Sequence, residues 1–295
     1  MDISQDTFPN LEELMMDCDC AEPLVEFFRK QHVCELFKYR GFSSALAQGL
    51  CNLKNLHVFR HSFVGEICPY ELFDKEGYLE GLRELDLSEM DYLLHLWNEN
   101  SQPGSTFQNL VSLKVSKCGR LKNLVPSSIS FQNLESLEVC ECHGLSCLVT
   151  PSVAKSLVQL RTLKITECNK MTEIVRDEGG DEAGDEISFT RLEFLTLQCL
   201  PNLKGFNLSN RSIRFPLLEF ITVTGCPELK IFSNGVLSTG ELNVELAENY
   251  EKNRWPLWHP QVGDLNTTIT RFWEDNFDTC IQQLFTEKVR SHTFI

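Results

Sequence analysis

Apolar positions recur along this chain in one fixed frame. Phe107, Leu110, Leu113, Val115 and Cys118 return at the same internal spacing as Phe131, Leu134, Leu137, Val139 and Cys142. The frame returns again as Leu157, Leu160, Leu163, Ile165 and Cys168, then as Phe189, Leu192, Leu195 and Leu197, then as Phe215, Leu218, Ile221, Val223 and Cys226. Upstream, Leu79, Leu82, Leu85 and Leu87 match it, as do Leu50, Leu53, Leu56 and Val58. The weakest copy is Phe8, Leu11, Leu14 and Met16. In each copy the L-x-[apolar] core alternates apolar with polar residues, which predicts a short strand with one buried face. Single repeats of this size cannot bury their own apolar face, so the pattern predicts stacking of strand upon strand.

The eight copies step by 42, 29, 28, 24, 26, 32 and 26 residues between their first framed leucines. Most of these steps lie near the roughly 20–29 residues of a leucine-rich repeat. The expected fold is therefore an α/β repeat, a leucine-rich-repeat solenoid or horseshoe. Its concave side is a parallel sheet and its convex side is irregular or short-helical. The closing position of the frame holds Cys118, Cys142, Cys168 and Cys226, where Asn or Cys is usual in such repeats. Cysteine is small and tolerates burial there. Asp19, His61, Met90 and Leu200 stand at the same place in other copies, so the ladder is imperfect. A second apolar pair follows, as in Leu121 and Leu124, Leu145 and Leu148, Met171 and Ile174, Leu203 and Phe206, and Leu229 and Phe232. It is expected to turn the chain into the core at the start of the convex side.

The frame divides the chain. Residues 1–49 hold degenerate N-terminal repeats and an insertion, with 21–48 either a degenerate repeat or inserted chain. Residues 50–240 form the solenoid. Within it, 177–186 carry six acids and three glycines, the composition of a solvated loop. Residues 241–295 leave the frame and read as a C-terminal cap and tail. In that tail Leu265, Ile269, Phe272, Trp273 and Phe277 recur at helical spacing after a potential cap at Asp264.

Charge and composition narrow the partners. The net charge is −15, which disfavours nucleic acid and anionic membrane. No apolar run is long enough to span a bilayer, and Met1–Asn10 shows no secretory signal, so a cytoplasmic location is expected. Disulfides are rare in a reducing compartment, so the thirteen cysteines need another explanation, and the repeat ladder accounts for four of them as structural thiols. No catalytic residue, cofactor or metal is expected. The sequence lacks the phosphate-loop, G-x-S-x-G, H-E-x-x-H and C-x-x-C motifs. Cys140-Glu-Cys142 is a C-x-C pair whose thiols strand alternation would place on one side, although Cys142 already fills the inward ladder. His57 reads as a solvated strand residue. The sequons at Asn207, Asn210 and Asn266 read as chance matches.

The stretches Phe107–Leu124 and Phe131–Leu148 resemble the repeat region of plant intracellular nucleotide-binding leucine-rich-repeat immune receptors of the coiled-coil class. So do the acidic insertion after Met171-Thr-Glu-Ile-Val175, the run Gly225-Cys-Pro-Glu-Leu-Lys-Ile-Phe232, and Trp258 followed by Asp264-Leu-Asn-Thr-Thr268. The resemblance implies a role in defence, with the repeats reading a pathogen effector or a host protein that an effector alters. The coiled-coil and nucleotide-binding switch domains of such receptors have no counterpart here. The chain is then expected to be a fragment, a truncated product or a stand-alone repeat protein. The alternative reading is another repeat adaptor, such as a ubiquitin-ligase substrate receptor, whose docking motif Met1–Leu50 does not display. An extracellular receptor ectodomain and an enzyme on a repeat scaffold are further readings, the latter disfavoured by the missing motifs.

A partner would meet the residues between the buried leucines. The middle column reads Met15, His57, Asp86, Lys114, Glu138, Lys164, Thr196 and Thr222, with signs alternating from Asp86 to Lys164. Such alternation also describes a self-neutralising surface ladder. The preceding column ends in Phe194 and Phe220, an apolar pair that is either exposed or covered by the C-terminal helix. The candidate partner-binding residues are Lys114, Glu138, Lys164, Phe194 and Phe220. The oligomeric state is left open.

Overall fold

The computed structural model describes residues 13–17, 54–59, 81–90, 93–96, 107–177, 186–240, 243–247, 257–260 and 265–274. Its strands are β1 Glu13–Asp17, β2 Asn55–Phe59, β3 Glu84–Ser88, β4 Ser112–Ser116, β5 Ser136–Cys140, β6 Thr162–Thr166, β7 Ile187–Ser188, β8 Phe194–Gln198, β9 Ile213–Phe215, β10 Phe220–Thr224, β11 Leu237–Thr239, β12 Asn243–Ala247 and β13 Leu257–Pro260. Two helices accompany them, α1 Pro151–Ser156 and α2 Leu265–Glu274.

Each copy of the frame contributes one five-residue strand to a ten-stranded sheet, in the order β1-β2-β3-β4-β5-β6-β8-β10-β12-β13. All neighbours are parallel except the last pair, β12 with β13. The register aligns the frame itself: Leu85, Leu113, Leu137, Leu163, Leu195 and Ile221 pair in one row. These six side chains are at most 1% exposed. A one-residue slip would turn every one of them to water, so burial of a single face specifies the register. The structure is a leucine-rich-repeat solenoid with its sheet on the concave side.

Beyond each strand the chain must leave the sheet, and it does so through a left-handed residue. Glu89, Lys117, Glu141, Glu167 and Cys199 have φ between 51° and 57°, and Gly225 has φ 64°. Side chains other than glycine adopt this region at a cost of roughly 1 kcal/mol. Here the backbone N–H groups offset that cost: those of Lys117, Glu141, Glu167 and Cys199 donate to the last strand carbonyl of the next repeat at 2.8–3.0 Å. The next residue then drops inward. Cys118, Cys142, Cys168 and Cys226 are all at most 1% exposed, and each thiol donates to the carbonyl two residues back at 3.3–3.5 Å. Cys142 and Cys226 also reach the preceding repeat, at Val115 O and Leu197 O, 3.6 Å in both cases. The cysteines thus act as weak donors to backbone that turns away from its own strand.

The side opposite the sheet has little helix among the described residues. Pro151 opens α1, whose preceding residue Thr150 is extended, and Val153 and Ala154 point into the core. Further along, β7, β9 and β11 form a small parallel sheet in place of helices. Between the layers the last repeats are filled by phenylalanines. Phe189 stacks on Phe215 at 5.3 Å and Phe206 on Phe232 at 5.0 Å, and the two pairs meet edge to face. The same two frame positions hold smaller Leu157 and Ile174 one repeat earlier.

The parallel sheet runs farther than the frame suggests. Residues from 241 on were expected to leave the repeat, yet β12 pairs with β10 in register, Val244 opposite Ile221. The sequence Asn243-Val-Glu-Leu-Ala247 keeps the alternation but lacks the leading Phe/Leu and the cysteine, so the longer motif does not reveal it. Antiparallel β13 then occupies the sheet edge, which would otherwise template pairing with another chain. Residues 21–48, Asp264 and Phe277 lie outside the described residues, as does the interior of the acidic segment, 178–185.

Helix α2 takes the place of the next repeat on the side away from the sheet. Leu265 and Ile269, one turn apart, are buried. Asn266 Oδ1 accepts hydrogen bonds from the backbone N–H groups of Phe232, at 2.8 Å, and Ser233, at 3.0 Å, while its Nδ2 donates to Ser233 O at 2.7 Å. One repeat earlier, the corresponding N–H groups of Phe206 and Asn207 are taken by the carbonyl of Phe232. A side-chain amide therefore stands where, one repeat earlier, the backbone carbonyl of the following repeat stands.

Candidate concave recognition face

The parallel register carries every residue between the buried leucines to one solvent-facing surface. Its middle column is His57, Asp86, Lys114, Glu138, Lys164, Thr196 and Thr222, and Met15 of β1 and Glu245 of β12 pair in the same register. Lys164 Nζ meets Glu138 Oε1 at 2.7 Å, with both side chains partly exposed. His57 Nδ1 lies 3.7 Å from Asp86 Oδ2. Lys114 sits in register between Asp86 and Glu138 and forms no ion pair with either. The expected alternation of sign is present, but only one of its lysines is neutralised. Asp86 Oδ1 is buried and accepts no hydrogen bond. Buried acceptors are rarely left unused, so the column keeps capacity for a donor.

Phe194 and Phe220 stand opposite each other in β8 and β10, their rings parallel to within 3° and 5.5 Å apart. Phe194 is 42% exposed. The described part of α2 packs instead behind the sheet, against Phe232, Ser233 and β11. Of the five candidates, Glu138 and Lys164 are brought into contact, as are Phe194 and Phe220. Thr162 of β6 pairs with Phe194, so the charged pair and the aromatic pair lie on neighbouring strands.

Several residues of this surface escape a reading of the strand columns alone. Arg161 precedes β6 and donates from two nitrogens to the Glu193 carboxylate, at 3.0 Å each. The residues at left-handed positions form a border at the strand ends, where Lys117 meets Glu89 at 3.1 Å. Exposed pairs like these are screened by water and add little to stability. The signal that would reveal them is the one-residue offset from the strand frame, at positions that appear polar and unconstrained.

The C-x-C pair also differs from the alternation expectation. Glu141 between the two cysteines is left-handed, so Cys140 stays half-buried on the sheet face while Cys142 turns fully inside. Their thiols do not share a side. Burial pushes the Cys168 and Cys226 thiols up to about 12, and burial likewise raises Cys140. None of these is a thiolate at neutral pH, and the thiolate is the reactive form. Among the described residues no three His, Cys, Asp or Glu side chains are grouped so as to hold a metal ion. No helix among them is long and apolar enough to cross a membrane. The sequon at Asn207 is closed: the residue is fully buried, with Nδ2 donating to Val175 O at 2.9 Å. The Asn266 amide is spent on the cap.

A family model for the leucine-rich repeats of RPS2-like plant disease resistance proteins matches the chain twice, over residues 26–130 and 129–239. A search of curated proteins finds no match.

Proposed function

The chain belongs to the leucine-rich repeats of RPS2-like plant disease resistance proteins, and from that premise we propose that its concave sheet face is the recognition surface of a defence module. A repeat solenoid of this family is a protein-interaction scaffold. The finer reading is that the face binds a pathogen effector, or a host protein that an effector alters, in the cytoplasm. The net charge of −15 supports a protein partner over nucleic acid.

One observation carries this reading. From β3 to β10 the sheet buries the aliphatic residues of its inner face, yet leaves the Phe194–Phe220 pair on the open face beside the Glu138–Lys164 pair. An aromatic stack exposed on the open face adds little to the stability of a sheet whose core is on the other face, whereas aromatic side chains are enriched in binding surfaces.

The test is a binding screen of the chain against candidate effectors and their host targets. Three variants are compared: Phe194→Ser and Lys164→Glu on the sheet face, and Lys204→Glu on the opposite side. Circular dichroism melts establish that each is folded. The expected result is a loss of about tenfold or more in affinity for the sheet-face variants alone, equal to about 1.4 kcal/mol. A partner whose binding responds to Lys204→Glu, and to neither sheet-face substitution, would overturn the proposal.

A further inference from the structure

We infer that the segment received by this face is extended and cationic, with one aromatic or long aliphatic side chain flanked by lysine or arginine on both sides. The inference rests on the sheet face being the recognition surface and specifies what that surface takes.

The apolar anchor is the exposed Phe194 ring, stacked on Phe220. The charge around it is one-sided. From β5 to β10 the face and its borders carry Glu135, Glu138, Glu141, Glu167, Glu193 and Glu219 against Arg161 and Lys164. Both cations are already engaged, Arg161 by Glu193 and Lys164 by Glu138. Among the described residues Glu135, Glu141 and Glu167 stand in no ion pair, although Lys117 lies near enough to Glu141, and Arg161 to Glu135, for their charges to act on each other. The surplus is therefore negative, and the complement of an exposed aromatic stack within surplus carboxylate is an apolar side chain within positive charge.

The register sets the spacing. Phe194 pairs with Thr162, and Glu167 lies five positions beyond Thr162, about 16 Å along the strand direction. Glu135 precedes Ser136 of β5, so it lies one position before the Phe194 row, two strands and about 10 Å across the sheet, on the same side as β6. Carboxylates thus stand before and after the row of the aromatic pair along the strands, at distances an extended segment spans with a few residues. Arg161, Lys164 and the border residue Lys117 offset part of this field, but the six carboxylates outnumber them and the surface stays negative.

The probe is the peptide Lys-Lys-Ser-Phe-Ser-Lys-Lys, with versions carrying Gln or Glu for Lys and Ala for Phe, measured by fluorescence anisotropy against the full chain. The lysine peptide is expected to bind, to weaken about tenfold with Gln for Lys, and to lose binding with Glu for Lys. Higher salt should weaken it, because exposed charges are screened. Phe194→Ser should weaken both the Lys and the Gln peptides. The double variant Glu141→Gln/Glu167→Gln should weaken only the Lys peptide. Equal binding of the Lys, Gln and Glu peptides, all lost in Phe194→Ser, would overturn the cationic inference and leave the sheet face as the site. Binding of the Lys peptide that no sheet-face substitution alters would overturn both. No binding of any peptide would overturn the inference, while the partner screen still decides the face.

Discussion

Replacing Asn266 by alanine removes the only side chain described as imitating a repeat. Three hydrogen bonds are lost, two accepted from Phe232 and Ser233 N–H and one donated to Ser233 O. Each is worth about 0.5–1.5 kcal/mol net, so the sum is roughly 1.5–4.5 kcal/mol. Phe232 and Ser233 are fully buried, which raises the cost, because a buried donor left unmade loses its solvation as well. The site lies at the end of the solenoid, however, where a shift of α2 admits water. The expected loss is therefore in the lower half of that range, about 2–3 kcal/mol. Asn266→Asp should lie between, since it keeps both acceptor bonds but sets a carboxylate oxygen against the Ser233 carbonyl. The assay is urea unfolding combined with hydrogen exchange at the Phe232 and Ser233 amides. A cost below about 0.5 kcal/mol with unchanged protection at both amides would refute the capping argument.

Three further outcomes are expected. Leu137→Ala should cost about 2–5 kcal/mol in urea unfolding, because Leu137 is 1% exposed and lies between Leu113 and Leu163; below about 1 kcal/mol the row is not a shared interior. Gly235→Ala should cost about 1–3 kcal/mol, since the new Cβ would overlap the backbone carbonyl of Arg211, and an unchanged melting temperature would count against that close approach. Glu173 has its carboxyl raised above 4.5, chiefly by burial, while it accepts the Leu208 N–H at 2.6 Å. The folded state therefore holds this proton more tightly than the unfolded one, and its contribution is present at low pH and lost as pH rises through the raised value. Glu173→Gln should remove that decline between about pH 4.5 and neutrality, and the same downward slope in the variant would refute the assignment.

How much of this was legible beforehand can be argued residue by residue. The leucine row, the register and the cysteine ladder follow from spacing, because a two-residue alternation repeated at near-constant intervals has one way to bury its apolar face. Lys114, Glu138, Lys164, Phe194 and Phe220 fall on one face for the same reason. Which of them touch does not follow: Glu138 takes Lys164 and leaves Lys114, a choice between two neighbours at equal strand spacing that side-chain geometry makes. The strand at Asn243–Ala247 was hidden because its neighbours in the frame are missing. Cys140 and Cys142 were misassigned to one side because a left-handed residue between them has no mark in its identity, glutamate being unusual there.

Sequence periodicity alone therefore determined that this chain stacks strands into a parallel sheet, since that information is local and repeats. Tertiary structure alone decided how the stack ends and what its open face offers. Asn266 finds the backbone of Phe232 and Ser233 across more than thirty positions of sequence. Contacts of this kind depend on which unlike segments meet in space, and no period in the chain encodes that.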